Sequence, residues 1–316
     1  MNEKTCERLL EKHYNLHVKS ITHVDEGVGG EVYIAETDAG RFVLKGTPRG
    51  ADRADNEPYI AEHLARHGIP VAEYLRAGDG KWFVPRGKTQ YLLQRFVEGK
   101  TYSYHEAPAW LLPESARMLG KIQLALACYR PLPQVFGQDH FDYLRSEVPR
   151  ASYMKTLERA KKAGDGDVAL DVEYRLSQLH RTRERTYDCA RFTVANTHGD
   201  FKIQNIICGE GRVAAVIDLS SACRLPLCME VIRSYTHAAP EPTAEGLRAY
   251  TEEVMRYTPL NAYDLRNMPY VFRDQLLAFD FYGQYYSSKH PNRADFLAQA
   301  RWATGVLRSG FFDAGG

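Results

Sequence analysis

The sequence predicts an α+β chain of two lobes: a β-rich first hundred residues followed by a mainly helical remainder. Three observations carry that reading. Short runs of β-forming residues separated by glycine turns fill residues 18 to 96, helical periodicity dominates beyond about residue 100, and one β-like block, 191–218, interrupts the helices. Five strands with one helix joined to a helical half imply two lobes with a cleft between them.

The elements follow in order. MNEKTCERLLEKHYNL reads as an amphipathic helix and lacks the apolar core of a signal peptide. Val18 to Asp25, Glu31 to Thr37 and Arg41 to Lys45 are strands, separated by EGVGGE and by the turn DAG. Asp55 to His67 is a helix with Ile60, Leu64 and His67 on one face; Gly68 suits its end and Pro70 forbids continuation. Lys81 to Pro85 and Gln90 to Phe96 are two further strands, ending at the turn EGK. Helices are expected at 113–129, 151–163, 170–187, 226–238, 243–256, 262–289 and 291–309.

Composition narrows the function. The chain has 316 residues, 44% hydrophobic and 26% charged, as in an ordinary water-exposed globular protein. A formal net charge of +1 favours no polyanionic partner, so no nucleic acid is expected. The most apolar helical stretch, Met118 to Cys128, contains Lys121, so no membrane span is expected either. Six scattered cysteines without a secretory signal read as reduced thiols in the cytoplasm. Cys223 and Cys228 are too loosely spaced for a zinc-binding pair, and no second pair follows.

The densest chemistry is HGDFKIQN, residues 198 to 205, followed by VAAVIDLSSA. Val213 to Ile217 is a short buried-strand pattern, so Asp218 emerges from a strand end. Asn205 precedes strand-like IIC, and GEGR makes the hairpin turn between them. The hairpin brings Asn205 and Asp218 together, with Asp200 on the loop leading in. Two oxygen-bearing side chains there suit a hard cation such as Mg²⁺, leaving Asp200 to orient or deprotonate a hydroxyl.

H-G-D-x-x-x-x-N followed by I-D resembles the aminoglycoside phosphotransferase and choline kinase-like branch of the protein-kinase fold, which includes homoserine kinase and spore-coat kinase-like relatives. The resemblance implies that Asp200 is the catalytic base, that Asn205 and Asp218 bind Mg²⁺, and that His198 braces the loop. It implies a small antiparallel β-sheet N-lobe, 1–97, binding ATP, and a mainly helical C-lobe, 98–316, with the catalytic loop and metal site. In EGVGGEVYIAETDAGRFVLKG, Gly27, Gly29 and Gly30 correspond to the loop whose backbone approaches the ATP phosphates. Lys45, a charge closing an apolar strand, needs a partner. The resemblance supplies the α- and β-phosphates and a helix glutamate, Glu57 by choice, with Glu62 as the alternative. YLLQRFVEG, 91–99, corresponds to the strand and hinge between the lobes, where backbone groups near Gln94 to Phe96 meet the adenine.

The match runs in order over about residues 18 to 235, with departures. Glu230 stands where the family usually has the aspartate that holds a C-lobe helix to the catalytic loop. Asp218 is followed by LSSA, without the glycine of a protein kinase's DFG element, and no APE-like segment follows; both argue against a protein kinase. Lys202, two residues after the base, stands where Ser/Thr protein kinases place a lysine, and either contacts the γ-phosphate or is a solvated loop lysine.

In FRDQLLAFDFYGQYYSS, 272–288, Asp280, Tyr282, Tyr285 and Tyr286 either face a cationic or amino-bearing acceptor or are aromatic packing with solvated acids. The expectation is an ATP-dependent small-molecule kinase that phosphorylates a hydroxyl of an aminoglycoside, choline, homoserine or sugar-like acceptor. The competing reading is a kinase-shaped pseudokinase that binds or assembles without transfer. Acceptor identity and oligomeric state are not readable from the residues.

Overall fold

The computed structural model describes residues 1–24, 30–48, 56–103, 106–288 and 293–313. The chain divides into two compact units, Met1–Thr101 with Gln204–Ala222 and Tyr102–Ile203 with Cys223–Gly316. Segment 204–222 thus belongs to the first unit although the second surrounds it in sequence.

The first unit opens with α1 (Glu3–Tyr14). Asn2 caps it by accepting the Thr5 N–H, and Asn15 ends it in the left-handed conformation. Six strands follow: β1 (Val18–Val24), β2 (Glu31–Thr37), β3 (Gly40–Pro48), β4 (Tyr74–Leu75), β5 (Val84–Arg86) and β6 (Thr89–Arg95). They form one sheet in the order β1-β2-β3-β6-β4, with β5 also on β6, and every pairing is antiparallel. The period of two decides the sheet's faces. Tyr33 and Ala35 of β2 and Phe42 and Leu44 of β3 are buried in one core with Cys6, Leu9 and Leu10 of α1. Lys45, one residue out of phase with Leu44, is carried to the opposite face.

Helix α2 (Glu57–Arg66) buries Ile60 and Leu64 and stops at Gly68, whose φ of 75° places the Ile69 N–H on the Leu64 carbonyl at 3.0 Å. His67, expected on the buried face, is exposed, because the helix has already ended at that residue. The short strand β4 had no periodicity long enough to be expected.

The second unit begins with α3 (Leu111–Ala127), α4 (Gln138–Arg145), α5 (Val148–Ala163), α6 (Gly166–Gln178) and strand β7 (Val194–Thr197). The hairpin β8 (Ile206–Cys208) and β9 (Val213–Val216) then belongs to the first unit, closed by Gly209 N–H on the Arg212 carbonyl at 2.9 Å. The second unit resumes with β10 (Cys223–Pro226), antiparallel to β7, and α7 (Leu227–Ala238), α8 (Ala244–Met255), α9 (Ala262–Ala278), α10 (Phe281–Ser287) and α11 (Ala294–Arg308). The single helix expected over 262–289 is broken in two. Asp280 accepts the Gly283 N–H at 2.7 Å and so starts α10 as its N-cap, a local bond that competes with helix continuation. The helix expected to run to 187 stops at Gln178 and continues only as a tight 3₁₀ turn, Leu179–Arg183. Among the described residues, no helix is long and apolar enough to cross a membrane.

One buried cation fastens the C-terminal helices. Arg175 of α6 is fully buried and donates to Tyr153 Oη of α5 (3.0 Å), to the Leu276 carbonyl of α9, and to Thr304 Oγ1 (3.0 Å) and the Ala300 carbonyl (3.1 Å) of α11. A buried guanidinium is tolerated only where its donors are satisfied, and here three helices supply the acceptors. Arg175→Leu removes four hydrogen bonds from this buried junction at once and should lower the unfolding free energy by about 3 kcal/mol or more. Urea titrations of the variant and the parent chain measure the difference.

Candidate active site

In the first unit, three side chains from distant parts of the sequence meet on the face of β3 away from α1. Lys45 Nζ lies 3.1 and 3.3 Å from the two Glu57 carboxylate oxygens and 2.7 Å from Asp218 Oδ1. Glu57 sits in the first turn of α2 and is fully buried; its Oε1 also accepts the Tyr74 hydroxyl at 2.8 Å. Glu62, the alternative partner, instead pairs with Arg66 and Arg76 on a half-exposed helix face. Burial alone would lower the Lys45 ammonium; the Glu57 and Asp218 carboxylates outweigh it and raise its pKa well above the usual lysine value.

Asp218 is held at φ 61°, ψ 55°, a left-handed conformation that only aspartate, asparagine and glycine adopt at modest cost. Ser220 Oγ donates to its Oδ1 at 2.8 Å. The hairpin fixes Asp218 against Asn205: the Ile217 N–H donates to the Asn205 carbonyl at 3.0 Å, and Asn205 is itself buried. The sequence-predicted pair is therefore brought together at one end of the β8–β9 ladder.

Gly27 and Gly29 lie outside the described residues. Gly30 has a reason of its own to lack a side chain, since a Cβ there would lie 2.2 Å from the Gly46 carbonyl oxygen across the β2–β3 pair. Gln94 is a paired residue of β6, matched to Val43 on one side and Tyr74 on the other. The Arg95 and Phe96 N–H groups are taken by the carbonyls of Glu73 (2.8 Å) and Arg41 (3.0 Å), and Arg41 stacks on the Phe96 ring at 3.8 Å. The sheet thus consumes these donors through Phe96.

In the second unit, HGDFK forms a loop between β7 and the start of the hairpin. His198 is fully buried, its Nδ1 accepts the Asp200 N–H at 3.3 Å, and its ring meets Phe201 edge-on at 5.7 Å. Asp200 and Lys202 are paired, Nζ to Oδ2, at 3.0 Å, with about a quarter of each side chain exposed. Burial would raise the Asp200 carboxyl; the Lys202 and Arg233 cations hold it below the usual aspartate value, so it is ionised at neutral pH.

Underneath the loop lies a buried polar chain. Glu230 of α7, wholly buried, accepts the Phe201 N–H (3.0 Å), the Thr197 hydroxyl and the Arg233 guanidinium (3.0 Å). Gln123 of α3 donates to Thr197 Oγ1 at 3.4 Å, and Arg233 donates to the Gly199 carbonyl at 2.7 Å. Glutamate at 230 therefore does tie α7 to this loop. Arg233, Thr197, Gln123 and Tyr74 were not singled out by sequence reasoning. Arg233 alone left a signal, an opposite charge three residues from Glu230 on one helix.

Residues 20–260 match the family described as the phosphotransferase enzyme family, APH. The chain belongs to that family. No curated protein shows a matching sequence. By structure the chain is similar to amicoumacin kinase hAmiN in complex with AMP-PNP, Ca²⁺ and Ami, at 13% identity over 99% of this chain and 95% of that one, TM-score 0.66. It is similar to spectinomycin phosphotransferase APH(9)-Ia in complex with ADP and spectinomycin, at 14% identity over 99% of both chains, TM-score 0.65. A third similar structure is the macrolide 2'-phosphotransferase MphH from Brachybacterium faecium, at 15% identity over 96% and 98%, TM-score 0.56. At such identities the likeness is one of fold, an antiparallel N-terminal sheet with a helical C-terminal part, as the sequence led us to expect. Membership of the family makes the chain a small-molecule phosphotransferase.

In this phosphotransferase the aromatic segment, which the sequence left open between an acceptor wall and packing, makes hydrogen bonds within the fold. Asp280 Oδ2 accepts the hydroxyls of Ser152 and Thr156, both at 2.7 Å, and its Oδ1 caps α10. Tyr282 is fully buried and donates to Asp171 of α6; Tyr286 donates to Asp165 at the N-terminus of that helix. Tyr285 packs edge-on against Tyr286, ring centroids 5.0 Å apart, beneath Arg293. These bonds account for Asp280, Tyr282 and Tyr286 as fastenings of α10 to α5 and α6.

The raised Lys45 pKa fixes a sign. Its folded value lies above the ordinary 10.5, so the stabilisation by Glu57 and Asp218 is complete below that pH and is lost as pH climbs through the folded value. Lys45→Met should cost about 3–5 kcal/mol at pH 7, because Glu57 is left buried without its cation. Urea unfolding at pH 7 and pH 11 should show the gap from the parent chain narrowing at the higher pH.

Proposed function

We propose that the chain is an ATP-dependent kinase that transfers the γ-phosphate to a hydroxyl of a small molecule. The single observation that carries this reading is Lys45 bonded at once to Glu57 and Asp218, in a chain of the phosphotransferase family. A lysine with this double attachment is placed to hold nucleotide phosphates on one side while α2 fixes it on the other. The similar structures solved with AMP-PNP or ADP support ATP as the donor. Gly27, Gly29 and Gly30 remain the proposed cover over the phosphates. The adenine contact is assigned to backbone just beyond Phe96, since the sheet takes the donors up to that residue.

The metal reading is tested by donor chemistry. Asp218 offers a carboxylate and Asn205 an amide oxygen, two hard ligands, and the residue before Asp218, Ile217, donates its N–H to the Asn205 carbonyl. They fit Mg²⁺, which when bound would neutralise phosphate charge. The chain's own residues supply the rest. Asp200, ionised and braced by His198, orients the acceptor hydroxyl and receives its proton as the oxygen bonds to the γ-phosphorus and the bond to ADP breaks. With a depressed pKa it is a weak base, so positioning precedes proton transfer. Lys202 leaves Asp200 for the transferring phosphoryl group and spreads its charge. The acceptor class is open among hydroxyl compounds; the antibiotic complexes of similar structures make amino- and sugar-bearing antibiotics the first to try, with choline and homoserine beside them.

Asp200→Asn should leave ATP affinity intact and nearly abolish ADP release with every acceptor tried; full turnover removes the base assignment. Lys202→Ala should lower kcat by an amount equivalent to roughly 2–4 kcal/mol, and an unchanged kcat removes the phosphate contact. Thermal shift with ATP, with and without Mg²⁺, should show a stabilisation that depends on the metal and is lost in Asp218→Ala.

A further inference from the structure

We propose that Arg233 is the positioning residue that keeps the Asp200 loop in its working geometry and Asp200 ionised during transfer, an inference that rests on the function proposed above. Lys202 is the nearer cation, but it stands on the same loop as Asp200 and, in the proposed reaction, turns to the phosphoryl group. When it does so, Asp200 loses its closest counter-charge at the moment the acceptor proton is to be taken. Arg233 does not share that task. It is anchored on α7, where Nη2 is held by Glu230 at 3.0 Å, and Glu230 is in turn fixed by the Phe201 N–H and the Thr197 hydroxyl.

Geometry adds a second reason. Arg233 donates to the carbonyl of Gly199, the residue immediately before Asp200, at 2.7 Å. Gly199 has φ 82°, a conformation natural to glycine alone, so the orientation of its peptide sets the direction in which the Asp200 side chain leaves the loop. One guanidinium therefore fixes that peptide and supplies a permanent positive charge close by, which a neutral hydrogen-bond donor could not do. The other charged and titratable groups around Asp200 are Lys202 and His198 on its own loop and Glu230 and His237 on α7. Burial drives His237 neutral, with a pKa near 3, and Glu230 is ion-paired with Arg233, so Arg233 is the cation that α7 contributes.

The test compares Arg233→Met and Arg233→Lys with the parent chain. The first measurement is turnover of Mg²⁺-ATP, with spectinomycin and choline as trial acceptors and water as the default one, across pH 4.5 to 8. Arg233→Met should leave KM for ATP within about twofold and lower kcat by between about 10- and 100-fold. Its acid limb should move up by about one pH unit or more. Arg233→Lys keeps a charge and should restore the acid limb while regaining only part of kcat. A parent-like kcat in Arg233→Met overturns the proposal, and so does a fall in kcat with an unmoved acid limb, which leaves Arg233 a merely structural part. The second measurement needs no turnover: the ¹³C-carboxylate titration of Asp200, identified by its loss in Asp200→Asn. If the parent chain turns over nothing, the kinase reading fails. The upward shift of this titration in Arg233→Met still supports the role of Arg233, and its absence overturns it.

Discussion

A lysine ammonium shared by two carboxylates organises the first unit. Lys45 is carried to its face by strand alternation, Glu57 by the start of α2, and Asp218 by the end of a hairpin 173 residues further on. Desolvating three charged groups is unfavourable unless each is matched, and here the match joins backbone pairing of Val216 with Val71 and of Cys208 with Lys100 in tying segment 204–222 to the first unit. The left-handed backbone at Asp218 is a consequence, since the chain must turn sharply after β9 to bring the carboxylate to the ammonium. The same cation that stabilises the unit is the group proposed to hold phosphates, so structure and function draw on one charge.

The second unit repeats the logic with the signs reversed. Its proposed reacting group is an anion, Asp200, and its support is cationic: Lys202 beside it and Arg233 bonded to the preceding residue, Gly199. Lys45 is pushed up by carboxylates and Asp200 is pushed down by cations, so each is fully charged at neutral pH. Neither needs to titrate to take up the role proposed for it. Groups that are already ionised add nothing to the barrier of the proposed transfer by reorganising during it.

Much of this was legible in the residues because the relevant spacings are local. His198, Asp200, Lys202 and Asn205 lie within one turn-bounded loop, and the strand pattern before Asp218 fixes its distance along the hairpin. Lys45 was legible as a charge at the end of an apolar strand. What was not legible came from long-range packing. Tyr74 reaches Glu57 from a two-residue strand with no periodic signal, and Thr197 and Gln123 join the loop only because β7 and α3 pack beside α7. The break between α9 and α10 was missed for a chemical reason: Asp280 in an otherwise periodic segment prefers the Gly283 N–H to a helical neighbour.

The aromatic segment shows where a periodic pattern leaves two readings open. Tyr282, Tyr285 and Tyr286 fall on one face at helical spacing, which fits either a ligand wall or a packing seam. The hydroxyls separate the two. Tyr282 and Tyr286 donate to aspartates of α6 and its cap, and Asp280 spends both carboxylate oxygens on Ser152, Thr156 and Gly283. Polar groups satisfied from within the fold have little to gain from a ligand, because each new hydrogen bond would cost an existing one. The acceptor is therefore to be sought among side chains whose hydrogen bonds are not already committed to holding helices together. Arg175, which reaches from α6 to three other helices at once, marks the centre of the region that packing has claimed.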